Sequence, residues 1–210
     1  MRILIIILFS FSFIFAEAID QKKLEKIENF LSTMTTLEAE MSMDITNGTN
    51  SKEQYTGKIW LDRKSQSMRI NYGNSSMVAK NGTIRICQKN AEPQEYVTDS
   101  TPAGLLLKPS ISFKEDGIIV KSLTEIHATS KKYGTNEDEI YLLWVLSVSF
   151  NSPAGPIPVT LYFRSEPVML LMRWTIQDPN GSITNVHLNP EKTSMSIIID
   201  SKIFDAVPGN

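Results

Sequence analysis

Few residues in this chain have the side chains to do chemistry. His127 and His187 are its only histidines and Cys87 its only cysteine. The histidines lie about sixty positions apart, each in a strand-like stretch, with no H-x-x-x-H or other ligand spacing. Surface or hydrogen-bonded roles therefore outweigh a metal or catalytic one. Cys87 has no partner for a disulfide and cannot build a thiolate cluster, so it reads as a small buried hydrophobe. Glu137-Asp138-Glu139 resembles a paired-carboxylate site by composition alone, and a solvated loop is the simpler reading. No G-x-S-x-G stretch marks a serine nucleophile. These residues predict no enzyme, no metal and no cofactor. A formal charge of −2 over 210 residues gives no basic excess, which argues against nucleic acid as a partner.

The apolar residues are more informative. Met1-Arg2 precedes an apolar run over 3–15, and Ala16-Glu17-Ala18 supplies a small-x-small cleavage pattern. This predicts a cleaved secretory signal peptide over 1–18 and an exported, unlipidated domain over 19–210. The run is short for a membrane span, which takes roughly 20 residues. Four Asn-x-Ser/Thr sequons, at Asn47, Asn74, Asn81 and Asn180, would suit glycosylation in a eukaryotic secreted protein. In three of them Gly follows the Asn, so turn chemistry accounts for those without sugar.

Past the leader, one helix gives way to strands. Asp20 can cap a helix through Thr33, with Leu24, Ile27 and Leu31 on one stripe. The period then switches to two, with Leu37, Ala39, Met41, Met43 and Ile45 alternating with polar residues. Asn47-Gly48 predicts a tight hairpin turn, and Gly57, Ile59 and Leu61 mark the return strand. Met68, Ile70 and Tyr72 mark another, followed by a hairpin over 77–86 around Asn81-Gly82. Thr101-Pro102 starts a short helix carrying Leu105, Leu106 and Leu107, which Pro109 ends. Strands resume over 118–128, 140–150, 157–163, 168–177 and 182–188, with a final helical turn over 200–206.

Nine or ten antiparallel strands with so little helix predict a mainly β fold, a single curled sheet or unclosed β-barrel. The short helices would cover its apolar concave face. Flexible methionines such as Met41, Met43 and Met68 would suit either an adaptable cavity or an ordinary core.

From Gly57 onward the chain resembles the periplasmic outer-membrane lipoprotein carrier (LolA) family. The matching stretches are Gly57-Lys58-Ile59-Trp60-Leu61-Asp62-Arg63, Met68-Arg69-Ile70-Asn71-Tyr72 and Met77-Val78-Ala79-Lys80-Asn81-Gly82-Thr83. Thr101-Pro102 with its leucines and Trp174-Thr175-Ile176-Gln177-Asp178 complete the series, in order along the chain. Lys64 stands where the family usually has proline, and the chain ends at 207–210 without the further strand of longer members.

The resemblance implies a hydrophobic cavity for the lipid-modified N-termini of lipoproteins, walled by Met41, Met43, Ile59, Leu61, Met68 and Ile70. Tyr72, Leu161, Phe163, Trp174 and Ile176 would complete the wall. A lid would carry Leu24, Ile27, Leu31 and Leu105 to Leu107, and Arg63 would latch it by hydrogen bonding. It further implies a monomeric periplasmic shuttle. Its donor would be an inner-membrane ABC transporter, and its acceptor an outer-membrane receptor or membrane. The same sheet could instead serve a glycolipid carrier or a lipoprotein sensor, and less readily a lipid-ester hydrolase.

Overall fold

The computed structural model describes residues 19–47, 51–98, 101–114, 118–131, 138–152 and 155–205. The predicted signal peptide lies outside them. Helix α1 (Gln21–Thr33) opens the described chain, and the Asp20 carboxylate accepts from the backbone N–H groups of Lys22 and Lys23. Strands β1 (Thr36–Thr46), β2 (Lys52–Asp62), β3 (Ser67–Tyr72), β4 (Ser75–Lys80), β5 (Thr83–Gln88) and β6 (Gln94–Val97) follow as a meander. Helix α2 (Pro102–Leu107) leads to β7 (Ile118–Lys131), β8 (Asp138–Ser152), β9 (Gly155–Arg164), β10 (Leu170–Gln177) and β11 (Ile183–Met195). A 3-10 turn at Ser201–Phe204 ends it.

All eleven strands form one antiparallel sheet in the order β6-β5-β4-β3-β2-β1-β11-β10-β9-β8-β7. The first and last strands of the meanders are its free edges, so the sheet curls without closing. This is the mainly β, unclosed architecture that the alternation predicts. Its two halves join through β1 and β11, where Met43 lies opposite Val186 and Met41 opposite Leu188.

Several boundaries differ from the sequence reading, each for a physical reason. Asn81 and Gly82 do form a two-residue turn, with φ of 54° and 77°, and Lys80 pairs with Thr83. The first hairpin is longer. Leu37 faces Leu61 and Ala39 faces Ile59, and this apolar register carries the ladder only to Thr46–Lys52. Five positions remain for the connection, which the Asn47 N–H to Ser51 carbonyl bond closes at 3.0 Å.

Strand β6 is exposed throughout and offers no apolar alternation to read. Strand β11 runs past the Asn189-Pro190 pair that looks like a stop. Its pairing with β1 slips between Ala39 and Met41, and Pro190, which has no N–H to give, sits in that irregularity. Strand β10 starts at Leu170, two residues later than expected, because Val168 is solvent-exposed. Asp138 and Glu139 belong to β8, opposite Lys131 and Ser130, rather than to a loop. Glu137 lies outside the described residues.

Helix α1 seals one end of the curl. Leu24, Ile27 and Leu31 are buried in the main core, and Phe30 meets Phe163 edge-to-face at 6.0 Å. Lys23 pairs with Glu125 at 2.7 Å. The Phe113 N–H donates to Glu28 at 2.7 Å, tying the segment after α2 to α1. On the convex side the 3-10 turn buries Phe204, while Arg69 donates to the Ile203 carbonyl at 3.0 Å.

Candidate ligand cavity

On the concave side a cavity of about 450 Å³ lies between the sheet and α2. Alternation explains its wall: Met43, Ile70, Met77, Ile86, Leu161, Trp174 and Val186 are same-face neighbours in the ladders of both half-sheets. Helix α2 roofs it with Ala103, Leu105 and Leu106. Pro102 at the first helical position begins this helix, which lasts only six residues.

The proposed wall residues divide between the cavity and the core around it. Met43, Met68, Ile70, Tyr72, Leu161, Trp174 and Ile176 line the cavity. Met41, Ile59, Leu61 and Phe163 do not; they are buried in the surrounding core. Leu105 and Leu106 line the roof, whereas Leu107 is buried beside it. Leu24, Ile27 and Leu31 are away from the cavity, in the α1 core. Further lining residues include Ile45, Met77, Ile84, Ile86, Ile157 and Val159. Most continue an alternation already visible in the sequence. Tyr96, Asp178 and Thr184 also line it, at positions that no apolar pattern marks.

Arg63 follows the end of β2 and is 2% exposed. Its backbone N–H donates to the Thr35 carbonyl at 2.9 Å, and its Nε–H donates to the Leu106 carbonyl, also at 2.9 Å. The guanidinium therefore touches the main chain of α2 directly. Its Nη1 and Nη2 groups are buried, with no hydrogen-bond partner among the described residues. Burial pushes the Arg63 pKa down to about 10. Burying a guanidinium is costly, and the bond to the Leu106 carbonyl offsets part of that cost.

At the rim, Asp178 follows β10. Its N–H donates to the Ser182 carbonyl at 2.8 Å and its carbonyl accepts from Gly181 at 2.9 Å. The residue is exposed at the cavity mouth, and partial burial of its carboxyl raises the pKa above the ordinary value. Burial likewise raises the pKa of the Tyr72 phenol.

A larger hollow of about 670 Å³ opens on the convex face. Glu139, Arg164, Arg173, His187 and Glu191 line it, and no helix roofs it. Arg173 lies over the Tyr162 ring at 4.8 Å and donates to Asn185 at 2.8 Å. Burial, then the charge of Arg173, lowers the His187 pKa. Ile126, Leu143, Met172 and Leu188 share the lining of this hollow, so an acyl chain there would lie against several charges, where the described lining of the concave cavity sets Asp178 alone at its mouth. Cys87 is buried and lies opposite Ser76, on the face away from the cavity. His127 pairs with Leu142 on exposed β7. Among the described residues no group of His, Cys, Asp and Glu is placed to hold a metal ion, and no helix is long and apolar enough to cross a membrane.

No family model matches the chain, and no curated protein does. Solved structures do share its fold. A LolA-superfamily protein from Nitrosomonas europaea aligns over 86% of this chain and 96% of its own, with TM-score 0.50 and 11% identity. A domain assigned as an outer membrane lipoprotein-sorting protein from Vibrio parahaemolyticus aligns over 87% and 95%, with TM-score 0.48 and 9% identity. Lipoprotein LppX of Mycobacterium tuberculosis aligns over 86% and 98%, at 0.41 and 11%. At 11% identity the first of these likenesses is one of fold alone, a curled sheet that does not close.

Proposed function

We propose that this protein is a carrier that takes acyl chains into the concave cavity under α2. The observation that carries this reading is an apolar cavity walled by methionines, isoleucines and Trp174 and roofed by a helix of only six residues. Burial of one methylene is worth about 0.8 kcal/mol, so a long chain gains on the order of 10 kcal/mol by leaving water. The Arg63–Leu106 bond, a charge-assisted one, is worth roughly 1.5–3 kcal/mol. Cargo can therefore displace the roof, while an empty cavity stays covered. Methionine side chains adapt their shape to what enters.

The finer reading is a periplasmic shuttle for lipid-modified lipoprotein N-termini, with Arg63 as the latch. It would load from an inner-membrane ABC transporter and unload at an outer-membrane receptor or membrane. What supports it is the run of motifs from Gly57 to Asp178, the leader over 1–18 and the Arg63–Leu106 contact. Ester hydrolysis is disfavoured because the described lining residues include no histidine, cysteine or serine, and the lining hydroxyls of Thr101 and Tyr96 donate to Thr98 and Gln94 rather than to Asp178.

Two measurements test this reading. Native mass spectrometry after gentle osmotic extraction should find lipid bound to a chain beginning at Ile19. Arg63→Leu should retain loaded lipoprotein and slow its handover to acceptor membranes. A chain that is ligand-free and still carries Met1, together with unchanged handover by Arg63→Leu, would contradict the shuttle.

A further inference from the structure

The cavity also carries information about the polar end of its ligand. At about 30 Å³ per water-sized group, 450 Å³ holds roughly 15 such groups, which is the scale of one acyl chain. Among the described lining residues the one that carries charge is Asp178. The other polar side chains at the rim are hydroxyls. Thr101 already donates to the Thr98 carbonyl at 2.9 Å and Tyr96 to Gln94 at 2.8 Å. The turn at 178–182 uses both the backbone N–H and the carbonyl of Asp178, which fixes the residue and leaves its carboxylate to act as an acceptor. Arg63, the buried cation nearest the roof main chain, does not line the cavity and could not balance an anionic head there.

We infer that the cavity takes a single acyl chain whose polar end bears positive charge or N–H donors, received at the rim by Asp178. This rests on the acyl-chain reading above and adds its head-group class. A carboxylate or phosphate head would meet a like charge at the exposed mouth of the cavity. An ammonium head would gain a charge-assisted hydrogen bond, and a neutral amide a weaker one.

The test uses the full described domain and four probes with one 14-carbon chain: tetradecylammonium, the ethanolamide of tetradecanoic acid, tetradecanoate and tetradecyl phosphate. Each is titrated below its micelle concentration against a polarity-sensitive single-chain dye. The ammonium probe should bind about tenfold or more tighter than tetradecanoate, with the amide between. Asp178→Asn should bring the ammonium and carboxylate probes within about threefold while leaving the amide nearly unchanged. Glu191→Gln, on the convex side, controls for diffuse attraction and should keep the wild-type preference. Equal binding of all four, or a ratio untouched by Asp178→Asn, would overturn the head-group assignment and leave the acyl cavity standing. Failure of all four to bind the wild-type protein would overturn the acyl cavity itself.

Discussion

The two helices are built from similar apolar material and are held very differently. Helix α1 has thirteen residues, a side-chain cap from Asp20, three side chains in the main core, and polar ties from Lys23 and Glu28 to β7 and the segment after α2. Helix α2 has six residues, no side-chain cap bond at Thr101, two side chains in the main core, Leu105 and Leu107, and, among the described residues, one side-chain hydrogen bond from the sheet side, given by Arg63. Both helices cover apolar surface, and the concave cavity lies beneath α2, with no residue of α1 among its described lining. A cover meant to stay needs many independent anchors, whereas one meant to move needs few and weak ones. On the proposed carrier reading, this contrast makes α1 a fixed plug and α2 the cover that a ligand would displace.

Shortening side chains should separate the two most sharply. Leu31→Ala removes a fully buried side chain from α1 and should cost about 2–5 kcal/mol, visible as a large fall in the thermal midpoint. Leu106→Ala removes a half-buried roof residue and should cost about 1 kcal/mol while changing ligand affinity. Equal losses from the two would erase the distinction between plug and cover.

Removing the Arg63 hydrogen bond should act on α2 alone. In Arg63→Leu, amide exchange across Pro102–Leu107 should speed up about tenfold or more, given roughly 1.5–3 kcal/mol for the lost bond. Exchange in α1 should not change. Global stability should hold, because losing the bond is offset by removing a buried charge. Faster exchange in both helices would mean that Arg63 is part of the common core.

The convex face supplies the smallest effect. His187 has a folded-state pKa below its ordinary 6.5, so between the two values the unfolded chain binds more protons than the folded one. Stability is then complete above about 6.5 and falls as pH drops through the lowered folded value. His187→Asn should flatten that acid slope slightly without changing ligand uptake. An unchanged slope would remove His187 from the pH response.

Much of this was legible in the sequence because burial on one face of a strand writes itself as alternation. Met43, Ile70, Trp174 and Ile176 were readable as one face in that way, and Thr101-Pro102 announced α2. Alternation could not separate cavity from core. Ile59 and Ile70 lie opposite each other on adjacent strands with the same pattern, yet only Ile70 borders open space. Nor could it divide the helices, since Leu31 and Leu105 look alike until the distances to Arg63 and to the cavity are known. The α2 carbonyl that Arg63 contacts and the rim position of Asp178 depend on curvature of the sheet, which no local pattern encodes. Strand β6 was illegible for the opposite reason: its side chains are exposed and leave no pattern.

The most direct test of the account is fluorescence quenching by a single-chain fatty amide brominated along its chain. Trp174 lines the cavity; Trp60 and Trp144 do not. The account predicts saturable one-to-one quenching in the wild-type protein, largely lost in Trp174→Phe although that variant still binds the unbrominated amide. Quenching that survives in Trp174→Phe, or binding that leaves Trp174 unquenched, would put the lipid somewhere other than beneath α2.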